Sequence, residues 1–191
     1  MSAVDNTVDI EDLRARASAA NINERSLLAT DYLKHFNEAM MLLELVPDMP
    51  DCIEDLAEWQ PVSYAEHFRR SRFSARELAI HAYDQSPPEY REPFDATIAK
   101  LGALIMVTIS GARTMAARGD SRAVAQIVNY AMPSIRQLQE TAGAIINGAI
   151  VLENSGGDAE TAAGGENTLH QAEIDSLMNG LSPVVSRFAQ P

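Results

Sequence analysis

Asp31, His35 and Glu38 stand at i, i+4 and i+7, a spacing that puts two carboxylates and an imidazole on one face of a helix. Those are metal-ligating groups. A di-metal bundle, however, needs a matching Glu-x-x-His pair on another helix, and the sequence contains none, so the trio reads as a polar stripe and no metal or other cofactor is expected. His67 and His81 fall beside aromatic residues in short segments, where a partly buried imidazole with a hydrogen-bond partner is the expected state. Cys52 is the only cysteine, so one chain can form neither a disulfide nor a thiolate metal cluster, and no activating base is evident beside it. There is no Gly-x-Ser-x-Gly turn, and Gly156-Gly157 and Gly164-Gly165 follow no strand and so make no phosphate loop. Arg118-Gly119-Asp120 reads as a turn between helices.

The most specific spacing of polar residues lies further on, in Thr168-Leu169-His170-Gln171-Ala172-Glu173-Ile174-Asp175-Ser176-Leu177-Met178-Asn179-Gly180. Thr168 can cap a helix, Gln171 can reach back as its capping-box partner, and Gly180 suits the C′ position. Ile174, Leu177, Met178 and Leu181 form a narrow apolar stripe, with Glu173, Asp175 and Asn179 on the other face. Residues 151–167 are rich in Gly, Ala and acid and predict a flexible linker with an r.m.s. reach of roughly 20–25 Å. A helix of about three turns on such a tether is marginal alone and folds fully on docking.

The string Leu169-x-Gln171-x-Glu173-Ile174-Asp175-x-Leu177-Met178 resembles the N-terminal segment of the flagellar motor switch protein FliM and the C-terminal tail of the chemotaxis phosphatase CheZ. The resemblance covers about a dozen residues. It implies a partner, a CheY-like receiver domain bound preferentially when phosphorylated. It also implies roles: Ile174, Leu177 and Met178 as anchors in the receiver's groove, with Leu169, Gln171, Glu173 and Asp175 completing the contact. Magnesium then enters only through the receiver.

A long helical hairpin, a linker and a receiver-binding helix are also the layout of CheZ. That family orients the attacking water with an Asp-x-x-x-Gln motif, and here none of the residues four places before Gln60, Gln85, Gln126, Gln137, Gln139, Gln171 or Gln190 is acidic. The nearest likeness is Leu138-Gln139-Glu140-Thr141-Ala142-Gly143-Ala144, with Glu140 in the acidic place and Ala144 where the amide belongs. Either that activity is lost, or an amide such as Gln126, Asn129 or Asn147 serves with a carboxylate from elsewhere, or the likeness is chance. The expected protein is therefore non-enzymatic or vestigially enzymatic, with response-regulator aspartyl-phosphate hydrolysis as the alternative activity and a helical structural role outside signalling as the other alternative.

Positioning such a tail is the work of the preceding chain. The 191 residues are 46% hydrophobic with a formal net charge of −12, which disfavours nucleic acid and anionic membranes, and Lys and Arg form no dense cluster. No signal peptide or apolar run approaching a membrane span is evident, so the expected location is cytoplasmic. Residues 1–22 lack a sustained apolar face and read as a mobile arm, helical only transiently over 10–20. From an N-cap at Asn21 or Asn23, Leu28, Tyr32, Phe36, Met40 and Leu43, widened by Leu33, Leu42 and Leu45, predict a helix over 23–46. A short helix over 51–59 follows, with Ile53, Leu56 and Trp59 inward, then two capping boxes, Ser63-x-x-Glu66 and Ser74-x-x-Glu77. Ser86-Pro87-Pro88-Glu89 opens the largest element. Phe94, Ile98, Leu101, Ile105, Thr108, Ala112 and Met115 step by four and three, and the rhythm resumes after Gly119-Asp120 through Val124, Val128, Ala131, Ile135, Leu138, Ala142, Ile145 and Ala149. Two such seams predict an antiparallel hairpin over 88–150, about 45 Å long, bent near Pro93 and kinked at Pro133. Gly102, Ala103, Gly111 and Gly143 would let its arms approach closely. Leu104, Ile109, Ile127 and Ile146 lie off the seam and need cover, from helix 23–46 on one side and a second copy on another, giving a homodimer. The fold class is all-α, with the helical domain at 23–150 and the receiver-binding peptide and tail at 168–191.

Overall fold

Long uninterrupted stretches of helix formers, punctuated by a glycine in the left-handed region, set the frame. The computed structural model describes residues 3–149, with side chains from residue 10 onward. The chain divides into a unit Met1–Val151 and a unit Leu152–Pro191, and the described residues all belong to the first. The fold is all-α: α1 (Ala3–Ala19), a 3₁₀ helix (Thr30–Leu33), α2 (Lys34–Leu45), a second 3₁₀ helix (Pro50–Leu56), α3 (Tyr64–Arg70), α4 (Arg76–Asp84), α5 (Pro88–Ala116) and α6 (Ser121–Ile146). No strand occurs among the described residues.

The helices α5 and α6 make the most extensive contact in the unit and run on through Pro93 and Pro133. At 1.5 Å per residue they are about 43 and 39 Å long. Between them the Met115 carbonyl accepts from the Asp120 amide and the Ala116 carbonyl from the Gly119 amide, a Schellman closure with Gly119 at φ +73°. Asp120 then caps α6, its carboxylate accepting from the Ala123 amide at 2.9 Å. The same closure ends α6, where Gly148 sits at φ +92°, so the second arm stops at Ile146 and the seam's last expected position, Ala149, lies beyond it and is exposed. Phe94, Leu101, Ile105, Thr108, Ala112 and Met115 are buried, as are Val124, Val128, Ala131, Ile135, Leu138, Ala142 and Ile145. Thr108 is tolerated at zero exposure because its hydroxyl donates to the Leu104 carbonyl at 2.7 Å.

Gly102 and Gly143 have a different task from the one expected. A Cβ on Gly102 would stand 3.0 Å from Pro61 Cβ, and one on Gly143 3.8 Å from Leu33, so both admit the N-terminal layer. That layer, the 3₁₀ helices with α2, packs on both long helices, and Leu104, Ile109, Ile127 and Ile146 are buried.

Several boundaries differ from expectation. Residues 3–19 are helical and not a free arm: Leu13, Ala17 and Ile22 are buried, and α1 packs against α4. Asn21 is the C′ residue of α1 at φ +58°, with the Ile22 amide bonded to the Ala17 carbonyl. Asn tolerates the left-handed region nearly as well as it caps, so either role was open to it. Asn23 does accept from following amides, those of Arg25 and Ser26, but Leu27 at φ +57° prevents a helix, and α2 begins only at Lys34. Leu45 is exposed, in line with Met41 and Met49 on the outer face. Ser63 caps α3 through the Glu66 amide at 3.2 Å, whereas α4 starts after Ala75 with no side-chain cap, so Ser74 does not open it. Ser86 does not cap α5 either; its hydroxyl crosses to the Ser26 carbonyl.

One described helix, α5, is long and apolar enough to pass as a membrane span by length and composition, against the expectation that none would. Half of that window is buried inside the fold, as in the core helix of a bundle.

Candidate functional site

Tyr32 is the hub of an aromatic layer, its ring centre 5.6 Å from Phe36, 5.0 Å from Tyr64, 5.5 Å from His67 and 5.9 Å from Phe94. Its hydroxyl donates to the Val62 carbonyl at 2.7 Å, and the Tyr64 hydroxyl accepts from the Ala29 amide at 2.8 Å. Burial raises both phenols well above the usual tyrosine range, so they act as neutral structural groups. Tyr83 stacks on Tyr64 at 4.5 Å and donates to Asp95 at 2.8 Å; burial first, then that bond and the charge of Asp95, push it up to about 12.

Against this layer lies a cleft of about 670 Å³. The first 3₁₀ helix brings Asp31 to it, α2 brings Lys34, His35 and Glu38, α3 brings His67 and Arg70, and the following loop brings residues 71–74. Asp31 is paired with the Lys34 ammonium, and its other oxygen stands 3.5 Å from His67 Nε2. That is too long for a good N–H···O bond. His67 Nε2 is thus buried without a hydrogen-bond partner. Desolvation holds the His67 pKa below the ordinary histidine value, the Asp31 carboxylate opposes that, and His35 adds to the lowering. His67 is therefore mostly neutral at pH 7.

The trio Asp31, His35 and Glu38 does not converge. His35 is committed elsewhere, with Nε2 2.7 Å from the Gln60 carbonyl and its ring stacked on Trp59 at 5.1 Å. Trp59 returns its indole N–H to the His35 carbonyl at 3.3 Å. Among the described residues no three His, Cys, Asp or Glu side chains are grouped to hold a metal ion. His81 is exposed and not partly buried, while Cys52 is a free thiol of intermediate exposure.

The amides considered for water activation are all on the solvated side: Gln126, Asn129 and Asn147 are exposed, and so are Glu140 and Ala144. Gln139 instead donates to Asn37 on α2 and leaves its own carbonyl oxygen buried without a partner. The residues of the peptide, Leu169, Gln171, Glu173, Ile174, Asp175, Leu177 and Met178, lie outside the described residues, as does the linker 151–167.

The charges of the cleft come from separate segments, so no local pattern announces it; the one local signal is Arg69-Arg70-Ser71-Arg72, a basic run in an acidic chain. Folding adds Lys34 to it. The chain matches no family model, no curated protein and no solved structure.

Proposed function

We propose that this is a bacterial chemotaxis or motility signalling protein that captures a phosphorylated CheY-like receiver domain through residues 168–181. The observation that carries the reading is the resemblance of Leu169–Met178, which extends to Gln171, Glu173 and Asp175, positions that core packing would not dictate. The helical body acts as carrier in a cytoplasmic homodimer; Leu104, Ile109, Ile127 and Ile146 are already buried in one chain, so the contact falls on other positions of α5 and α6, where Val107 and Tyr130 are exposed. The reading is non-enzymatic or vestigially enzymatic, since alanine at position 144 cannot orient water; a divergent phosphatase would have to use another amide, such as Gln126, Asn129 or Asn147, with a carboxylate from elsewhere.

The test titrates full-length protein, and a form ending at Glu153, into CheY-like receivers from the same organism with and without a phosphoryl mimic, and then follows receiver autodephosphorylation. Binding by the full chain alone, strengthened by the mimic and without faster phosphate loss, supports the reading. Equal binding by both forms removes the tail from the mechanism, and accelerated phosphate loss favours the phosphatase.

A further inference from the structure

We propose that the cleft between α2, α3 and residues 71–74 binds a phosphate-class dianion, with Lys34 and Arg72 supplying charge and His67 Nε2 supplying a hydrogen-bond donor. The proposal does not depend on the receiver reading.

Its first ground is the buried Nε2 with no hydrogen-bond partner, in a side chain only 13% exposed on the cleft wall. A buried polar atom left without a partner is costly, and native folds rarely keep one without a ligand or water to meet it. Asp31 does not meet it: the carboxylate is 3.5 Å away and already paired with Lys34.

The second ground is charge. Acids outnumber bases by 27 to 15 in the whole chain, whereas around the cleft Lys34, Arg70 and Arg72 equal Asp31, Glu38 and Glu66 in number. Arg70 is held by Glu66 at 2.6 Å, so its charge is partly spent. Arg72 makes no ion pair or side-chain hydrogen bond among the described residues, and neither does the Ser74 hydroxyl next to it in the lining. Among the described residues, a guanidinium and a hydroxyl at the mouth and an imidazole nitrogen on the wall thus lack an acceptor within hydrogen-bond geometry.

A phosphate group suits them better than a carboxylate. Asp31 already neutralises Lys34, so a ligand must carry more than one negative charge to compete for that ammonium, and tetrahedral oxygens can face donors on three sides. Arg72 offers the planar fork that phosphate recognition uses. Once the anion is seated, a negative charge beside His67 favours its protonated form, which has two donors. The charged and titratable groups that line the cleft with that imidazole are Asp31, Lys34, His35 and Glu38 from the preceding elements and Arg70 and Arg72 from its own side. The space exceeds what one phosphate fills, leaving room for an ester substituent.

The test uses the full chain, with inorganic phosphate and O-phosphoserine as probes at matched ionic strength. Binding is followed by calorimetry and by the ring ¹⁵N signals of His67. The expected result is saturable binding of at least one probe with the His67 signals moving toward imidazolium, weakened tenfold or more in Arg72→Gln and in His67→Leu. The tighter probe tells whether free or esterified phosphate is the natural form. Since Arg72 is exposed and without a partner among the described residues, Arg72→Gln should keep the wild-type circular dichroism and Tm, so its loss of binding is not a loss of fold. A linear, unsaturated response, an equal response to chloride, or undiminished binding in a folded Arg72→Gln protein would overturn the proposal.

Discussion

The Ser86 hydroxyl donates a 2.7 Å hydrogen bond to the Ser26 carbonyl, and the Ser26 hydroxyl in turn donates at 2.5 Å to the Ile146 carbonyl at the end of α6. Both serines are buried, at 4% and 0% exposure. The relay ties the 20–29 loop to the start of α5 and the end of α6, so one irregular segment clamps the two long helices where their sequence ends are far apart. Removing either hydroxyl leaves a buried carbonyl unsatisfied. Ser86→Ala and Ser26→Ala should each cost about 1–3 kcal/mol in urea unfolding, with the double variant costing less than the sum because the bonds share a loop. Strict additivity would mean that the two bonds act independently.

Tyr64 provides a second buried partner to that loop, its oxygen accepting from the Ala29 amide. Tyr64→Phe keeps the ring stack on Tyr83 but orphans the amide of a residue 1% exposed. A loss of about 1–3 kcal/mol is expected, with the unfolding m-value unchanged. A loss below about 0.5 kcal/mol would show that water reaches the Ala29 amide.

The turn between α5 and α6 offers a purely backbone test. A Cβ at Gly119 would meet nothing within 4 Å, yet φ is +73°. Gly119→Ala should destabilise by about 1–2 kcal/mol through strain alone, and Gly119→Asn by less, since Asn accepts the left-handed region more readily. Equal losses for Ala and Asn in thermal unfolding would point to some cause other than φ.

His67 makes stability pH-dependent in a defined direction. Its folded pKa lies below the ordinary value near 6.5, so the unfolded chain binds the proton more readily. The associated stability is fully present above about pH 6.5 and is lost as pH falls through the folded value. Chemical unfolding between about pH 7.5 and 5.5 should show a decline that is smaller in His67→Gln. Parallel curves for both proteins would assign the decline to other groups. Saturating phosphate should also flatten the wild-type curve if the cleft binds it.

For the tail, burying Ile174, Leu177 and Met178 is worth about 5–7 kcal/mol gross, and ordering the peptide takes back about 2–5. The isolated peptide should therefore bind a receiver with a micromolar or weaker Kd. Ile174→Ala with Leu177→Ala in the full chain should abolish detectable binding while leaving the thermal unfolding of the body unchanged. A coincident drop in Tm would place the stripe in the protein's own core.

What the amino-acid order decides by itself is whatever depends on neighbours within a turn or two. The α5 and α6 seams, the break at Gly119, the proline start of α5 and the Ser63 cap are set by side-chain periodicity and local backbone preference, and all are readable without coordinates. Tertiary structure decided the rest. Asn21 could cap or close a helix; in the fold it closes α1, next to buried Ile22 and ahead of Leu27, which is buried at a positive φ. Gly102 and Gly143 are small for the sake of Pro61 and Leu33, far from them in sequence. The cleft exists only because Asp31 and Lys34 arrive beside His67 and Arg72 from separate segments. A local pattern cannot encode that meeting, since the free energy of the contact depends on where the whole chain has already placed its elements.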